Sequence, residues 1–87
     1  MRYNEYLNFS LYQIKEFLAL CEHLNYTKAA KECFVTQSTL SRNIQSMENT
    51  LGIQLFVRNT VKVTPTAAGR NLYEKLKTIF EQYEDAI

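Results

Sequence analysis

The 87-residue chain holds only two glycines and one proline, which excludes collagen-like, low-complexity and linker-like character. Its two cysteines, Cys21 and Cys33, are too few for a disulfide scaffold. A single histidine, His23, leaves no set of zinc ligands and has no positioned partner with which to run acid–base or nucleophilic chemistry. No apolar run approaches the ~20 residues that span a bilayer. Met1 is followed by Arg2-Tyr3-Asn4-Glu5 rather than by the apolar core of a signal peptide. These absences point to a cytoplasmic domain that is not an enzyme, needs no cofactor or metal, and keeps away from membranes.

What is present is an ordinary globular composition, 46% hydrophobic and 22% charged, in a chain sized for one small domain. A core this small leaves at best a few kcal/mol of net stability, so association with a second copy is a natural supplement. The net charge of +1 is uninformative, but its distribution is not. Residues 27–70 carry Lys28, Lys31, Arg42, Arg58, Lys62 and Arg70 against only Glu32 and Glu48, whereas both flanking segments are slightly acidic.

Ser10-Leu11-Tyr12-Gln13 is a capping box, with Phe9 and Ile14 placed as a hydrophobic staple. Leu11, Ile14, Phe17, Leu18, Cys21 and Leu24 then recur at helical spacing, predicting a first helix over about 11–24 with Cys21 as a small core hydrophobe. His23 near its end suits the helix dipole. Thr27 is the expected N-cap of a short second helix, whose inner face is Ala29, Ala30 and Cys33. After a turn at Phe34-Val35, Thr36 caps a third helix with Val35 and Leu40 as its staple. Leu40, Ile44, Met47 and Leu51 form its inward stripe, and Gly52 ends it. Two β-prone runs, 54–57 and 61–63, predict a hairpin around Arg58-Asn59-Thr60, with Pro65 stopping it. From Ala67 the chain is helical to its end, about 31 Å at 1.5 Å per residue. That helix carries two apolar stripes: Leu72, Leu76, Ile79 and Tyr83, and Tyr73, Phe80 and Ile87. A lone terminal helix cannot bury both on so small a body, so one is expected to meet a partner.

The fold class is therefore mainly α with a small β-hairpin. The order helix, short helix, turn, longer helix, hairpin is that of a winged helix-turn-helix over 9–66 (helix-turn-helix about 26–45, wing about 54–64), followed by a long C-terminal helix over 67–87. Opposite the third helix's inward stripe lie Gln37, Ser38, Ser41, Arg42, Gln45 and Asn49. A merely solvated face is more usually Lys and Glu; these side chains suit base edges, Gln pairing with adenine, Arg with guanine and Ser with either. Thr36-Gln37-Ser38-Thr39 opens that helix at the positive end of its dipole, where phosphates are favoured. Thr27, Lys28 and Lys31 suit phosphate contacts, although each lysine serves equally as a solvated charge. Arg58 and Lys62 flank the wing; Arg58 either reaches a minor groove or forms a salt bridge with the body of the domain.

These residues resemble the LysR-type transcriptional regulators of bacteria. The resemblance runs from about Phe9 to Ile87. It rests on Tyr26-Thr27-Lys28-Ala29-Ala30-Lys31, on Val35-Thr36-Gln37-Ser38-Thr39-Leu40-Ser41-Arg42-Asn43-Ile44, on the stretch from Met47-Glu48 through Leu51-Gly52 to Leu55-Phe56-Val57-Arg58, and on Thr66-Ala67-Ala68-Gly69. These match the family's aromatic-T-x-A-A, V-S-Q-P-A-L-S-R-x-I, L-E-x-x-L-G-x-x-L-F-x-R and T-x-A-G blocks at matching spacing. Ser38 stands where the family commonly has Pro, Thr60 and Val61 where it has Gly and a basic residue, and Pro65 where it often has Leu.

The resemblance implies sequence-specific binding of double-stranded DNA at an interrupted inverted repeat, with residues 37–42 in the major groove and Arg58 in the minor groove. It implies a homodimer through the C-terminal helix, for which Leu72, Tyr73, Leu76, Ile79, Phe80 and Tyr83 are the candidates. It also implies a small-molecule inducer bound only by a C-terminal domain absent from this chain, which would make the chain the N-terminal fragment of a longer regulator. The competing class is a protein-docking winged helix, which predicts salt-insensitive binding and no affinity for DNA.

Overall fold

Each helix start can be traced to one side chain. The computed structural model describes residues 9–59 and 62–87. Ser10 opens α1 (Leu11–His23): the Gln13 backbone N–H donates to Ser10 Oγ at 3.1 Å and the Ser10 N–H donates to Gln13 Oε1 at 3.0 Å. Leu24 closes it in the left-handed region at φ 51°, its N–H bonded to the Leu20 carbonyl. The second helix, α2 (Tyr26–Glu32), starts earlier than expected. Asn25, not Thr27, is its cap, taking the Lys28 N–H on Oδ1 at 2.9 Å. Asn is the better cap, and an extended backbone at Asn25 lets the helix gain two residues, leaving Thr27 on its first turn. Thr36 caps α3 (Gln37–Leu51) as expected, and Gly52 ends it at φ 71°, a conformation that costs glycine little.

The hairpin pairs β1 (Phe56–Arg58) with β2 (Val63–Pro65) in the register Phe56↔Pro65, Val57↔Thr64 and Arg58↔Val63. Both strands lie later in the chain than the β-prone runs suggested, and Pro65 belongs to the sheet instead of stopping it. The reason is register. The Thr66 N–H donates to the Leu55 carbonyl at 2.9 Å and the Asn59 N–H to the Lys62 carbonyl at 3.2 Å, so hydrogen-bonded pairs fall on either side of Pro65 and its missing N–H points away from the ladder. At the end of the ladder the Lys62 N–H donates to Asn59 Oδ1 at 2.8 Å. Thr60 and Val61, expected at the wing tip, lie outside the described residues. Thr66 then caps α4 (Ala67–Ala86).

The core lies where α1, α3 and the start of the wing meet. Phe17, Leu20, Leu40, Ile44, Met47, Leu55 and Phe56 are fully buried, with Phe17 and Phe56 packed edge to face at 5.7 Å. Ala29 and Ala30 bring α2 close against it. Gly69 is required where α4 meets the wing, because a Cβ there would fall 2.1 Å from the Leu55 carbonyl oxygen. Cys21 is half-buried against this core rather than within it. Among the described residues no helix is long and apolar enough to cross a membrane.

Candidate nucleic-acid interface

The inward stripe of α3 fixes what the helix presents outward. With Leu40, Ile44 and Met47 buried, Gln37, Ser38, Ser41, Arg42 and Gln45 are exposed and line, with Tyr26, an open groove of about 500 Å³. The groove is a run of hydrogen-bonding groups with one fixed positive charge, Arg42. Gln37 Nε2 donates to Thr27 Oγ1, so the first turn of α3 is tied to the first turn of α2 and the two present one continuous surface. Thr36 and Thr39 are placed differently from the other residues expected here. Thr39 is half-buried, and its Oγ1 accepts from Thr36 Oγ1 at 3.0 Å, so this pair shapes the helix start while the groove is lined by its neighbours. Lys28, Lys31 and Lys62 are exposed.

A second, smaller cleft of about 380 Å³ continues from the groove past Gln45 to the wing, lined by Asn49, Gly52, Ile53, Gln54, Glu48 and Arg58. Gln45 Nε2 donates to Asn49 Oδ1 at 3.3 Å along its edge. At its base, Glu48 is buried. Its Oε2 accepts from the Leu55 and Phe56 backbone N–H groups at 2.7 and 3.2 Å, and its Oε1 accepts from Arg58 Nη2 at 3.1 Å. Arg58 Nε donates to the Tyr26 hydroxyl at 2.6 Å. Partial burial pulls the Arg58 pKa down, but the hydrogen bonds it donates to Tyr26 and Glu48, with their charges, outweigh it, and the guanidinium is held above its ordinary value. Of the two roles open to Arg58 from sequence, the salt bridge to the body is present, and the guanidinium ties the wing to α2 and α3.

The sequence reading missed Glu48, counting it among the charges of the basic segment, and gave Tyr26 no role. Both had a signal. Glu48 stands one turn after Ile44, at the edge of the inward stripe, where a carboxylate needs internal donors. A third missed tie is Asn43 Nδ2 donating to the buried Glu16 at 2.7 Å, which fastens the middle of α3 to α1.

On α4, Leu72, Tyr73, Leu76 and Phe80 pack half-buried against the chain's own core, while Ile79 is 59% exposed and Tyr83 44%. The two expected stripes are thus not alternatives. Each is divided, its body side covered and its remainder free. Tyr73 is tied further, its hydroxyl donating to Glu22 Oε2 at 2.9 Å. His23, expected only at a helix end, also sits 3.0 Å from Glu32 Oε1, joining α1 to α2.

The family described as bacterial regulatory helix-turn-helix protein, lysR family, matches residues 11–70. The chain belongs to the LysR family. The winged helix-turn-helix read from the element order is accordingly the fold of this chain, and the members of the family are regulatory proteins, not enzymes. The glycine cleavage system transcriptional activator of Escherichia coli (strain K12) is 38% identical over 73 residues, covering 84% of this chain and 24% of that protein. The Hca operon transcriptional activator HcaR of the same strain is 38% identical over 76 residues, covering 87% of this chain and 26% of its own length. The chain therefore spans about a quarter of the length of these LysR-family relatives. Among solved structures, the complex of the BenM DNA-binding domain with catB site 1 DNA superposes with a TM-score of 0.84 at 32% identity, covering 88% of this chain and 86% of that one. The complex of the CbnR DNA-binding domain with DNA gives 0.79 at 34% identity, covering 85% of each chain.

Proposed function

We propose that this chain binds double-stranded DNA sequence-specifically in the cytoplasm, as the DNA-reading part of a bacterial transcriptional regulator. The observation that carries the reading is the groove on α3, whose Gln37, Ser38, Ser41, Arg42 and Gln45 lie side by side and exposed on a domain that superposes on LysR-family DNA-binding domains solved with DNA. In this reading these five side chains meet base edges in the major groove. Thr27, Lys28, Lys31 and Lys62 meet phosphates and set register. Thr36 and Thr39 hold the first turn of α3 in shape, and Arg58 acts from the wing base by fixing the wing against α3.

Two copies pair through the free side of α4, with Ile79 and Tyr83 at the centre and Leu72, Tyr73, Leu76 and Phe80 alongside. The target is then an interrupted inverted repeat, its half-sites about one helical turn or a multiple apart. A response to a small-molecule inducer belongs, in the same reading, to a domain beyond these residues.

The test is fluorescence anisotropy of the purified chain with a randomised duplex pool at two salt concentrations, followed by selection and sequencing. Enrichment of an interrupted palindrome with salt-dependent affinity is the expected result. Salt-insensitive binding, or no binding at low salt, would overturn the DNA reading in favour of a protein-docking surface.

A further inference from the structure

Tyr26 stands half-buried between the two clefts, its side chain on the wall of the α3 groove beside Gln37, Ser38, Arg42 and Gln45. Its oxygen accepts from Arg58 Nε at 2.6 Å, and Arg58 is held in turn by Glu48. A phenol that accepts in this way keeps its own hydrogen to give, and a cationic donor behind it polarises that O–H. Among the described residues the bond from Arg58 is the only one recorded for the hydroxyl, and none takes its hydrogen. The oxygen is also fixed in place. Glu48 accepts simultaneously from Arg58 and from the Leu55 and Phe56 backbone, so the chain Glu48–Arg58–Tyr26 has little freedom to re-aim. The result is an oriented, cation-backed donor on the wall of a groove otherwise lined for hydrogen bonding.

We propose that Tyr26 is a DNA-backbone contact: its hydroxyl, backed by Arg58, donates a hydrogen bond to a phosphate oxygen at the rim of the α3 groove. The inference rests on the DNA reading above and adds a residue to it. Because a phosphate is present at every nucleotide, the contact carries no sequence information and sets the depth and register of α3. It also links that phosphate, through Arg58, to the wing.

Tyr26→Phe keeps the ring and removes only the donor. Its affinity, and that of the unsubstituted chain, is measured by anisotropy on random-sequence duplex and on the duplex the chain enriches, with single methylphosphonate substitutions scanned along the enriched strand. The expected result is a loss of about tenfold, equal on both duplexes, as for a hydrogen bond to a charged acceptor. One neutralised phosphate per half-site should weaken the unsubstituted chain and leave Tyr26→Phe unmoved. Unchanged affinity, or methylphosphonates that weaken both proteins by the same factors throughout, would overturn the proposal and confine the hydroxyl to a role inside the domain. The methylphosphonate scan also decides if Tyr26→Phe melts lower, since a loss of fold leaves the cost of neutralising each phosphate the same in both proteins. If the unsubstituted chain binds no duplex at all, the DNA reading falls first and this contact with it.

Discussion

Phe34 occupies the position after α2 where a chain ordinarily places glycine or asparagine. Its φ is 57°, its N–H and that of Val35 close the helix on the Lys31 and Ala30 carbonyls, and its ring is 93% exposed. A bulky side chain in the left-handed region costs about 1–2 kcal/mol, and an exposed ring returns little of that by burial. Phe34→Gly is therefore expected to raise stability by about 1 kcal/mol in urea unfolding, after the added freedom of glycine in the unfolded chain is deducted. A decrease would mean that the ring makes a stabilising contact. Cys21 makes a different point. Burial, and then Glu22, push its thiol from 9.0 up to about 12. The folded chain thus holds this proton where the unfolded chain releases it. The associated stability is whole below about pH 9 and is lost as the pH climbs toward 12. In the native chain at pH 9, iodoacetamide should label Cys33 well before Cys21, and equal rates would show that solvent reaches both thiols.

At the scale of elements, the helices were legible because their signals are local. Ser10, Thr36 and Gly52 act on backbone groups within four residues, and the Leu40, Ile44, Met47 stripe needs only a period. Thr27 was mistaken for a cap because Asn25, two residues earlier, is the stronger cap and takes the Lys28 N–H, which starts the helix at Tyr26. The hairpin was displaced because its register follows from long-range demands: Phe56 must reach Phe17, and Glu48 must find the Leu55 and Phe56 N–H groups. The salt bridge of Arg58 to the body was one of its two readings from sequence, but its hydrogen-bond partner Tyr26 was not legible, because it lies 32 residues away. The outward face of α3, by contrast, followed directly from its inward one. If that face reads bases, Gln37→Ala should cost about 1–3 kcal/mol on the enriched site and much less on random duplex. Lys28→Ala should instead weaken both alike and flatten the salt dependence by about one unit of slope. Equal losses for Gln37→Ala on every duplex would remove it from base reading, and an unchanged slope would remove Lys28 from the phosphate contacts.

For the molecule as a whole, α4 poses a question of surface. It is 20 residues long on a body whose extents are 36 × 29 × 21 Å, so at about 1.5 Å per residue it runs most of the length of the domain. One side of its apolar arc, Leu72, Tyr73, Leu76 and Phe80, is half-covered by the chain itself, and Ile79 and Tyr83 remain exposed. The two sets can be separated by experiment, which sequence alone did not allow. Charges at Ile79 and Tyr83 remove little intramolecular packing, so Ile79→Glu with Tyr83→Glu should leave a monomer's thermal unfolding within a few degrees of the unsubstituted chain. A change below about 0.5 kcal/mol is normal for exposed positions. The same double variant should sediment as a monomer and lose tight binding to the two-half-site duplex while retaining weak binding to one half-site. Leu76→Glu with Phe80→Glu should instead unfold at lower temperature, because both side chains pack on the core. A dimer that survives Ile79→Glu with Tyr83→Glu would move the interface off this side of α4. A drop in melting temperature would mean that these residues support the fold of a single chain.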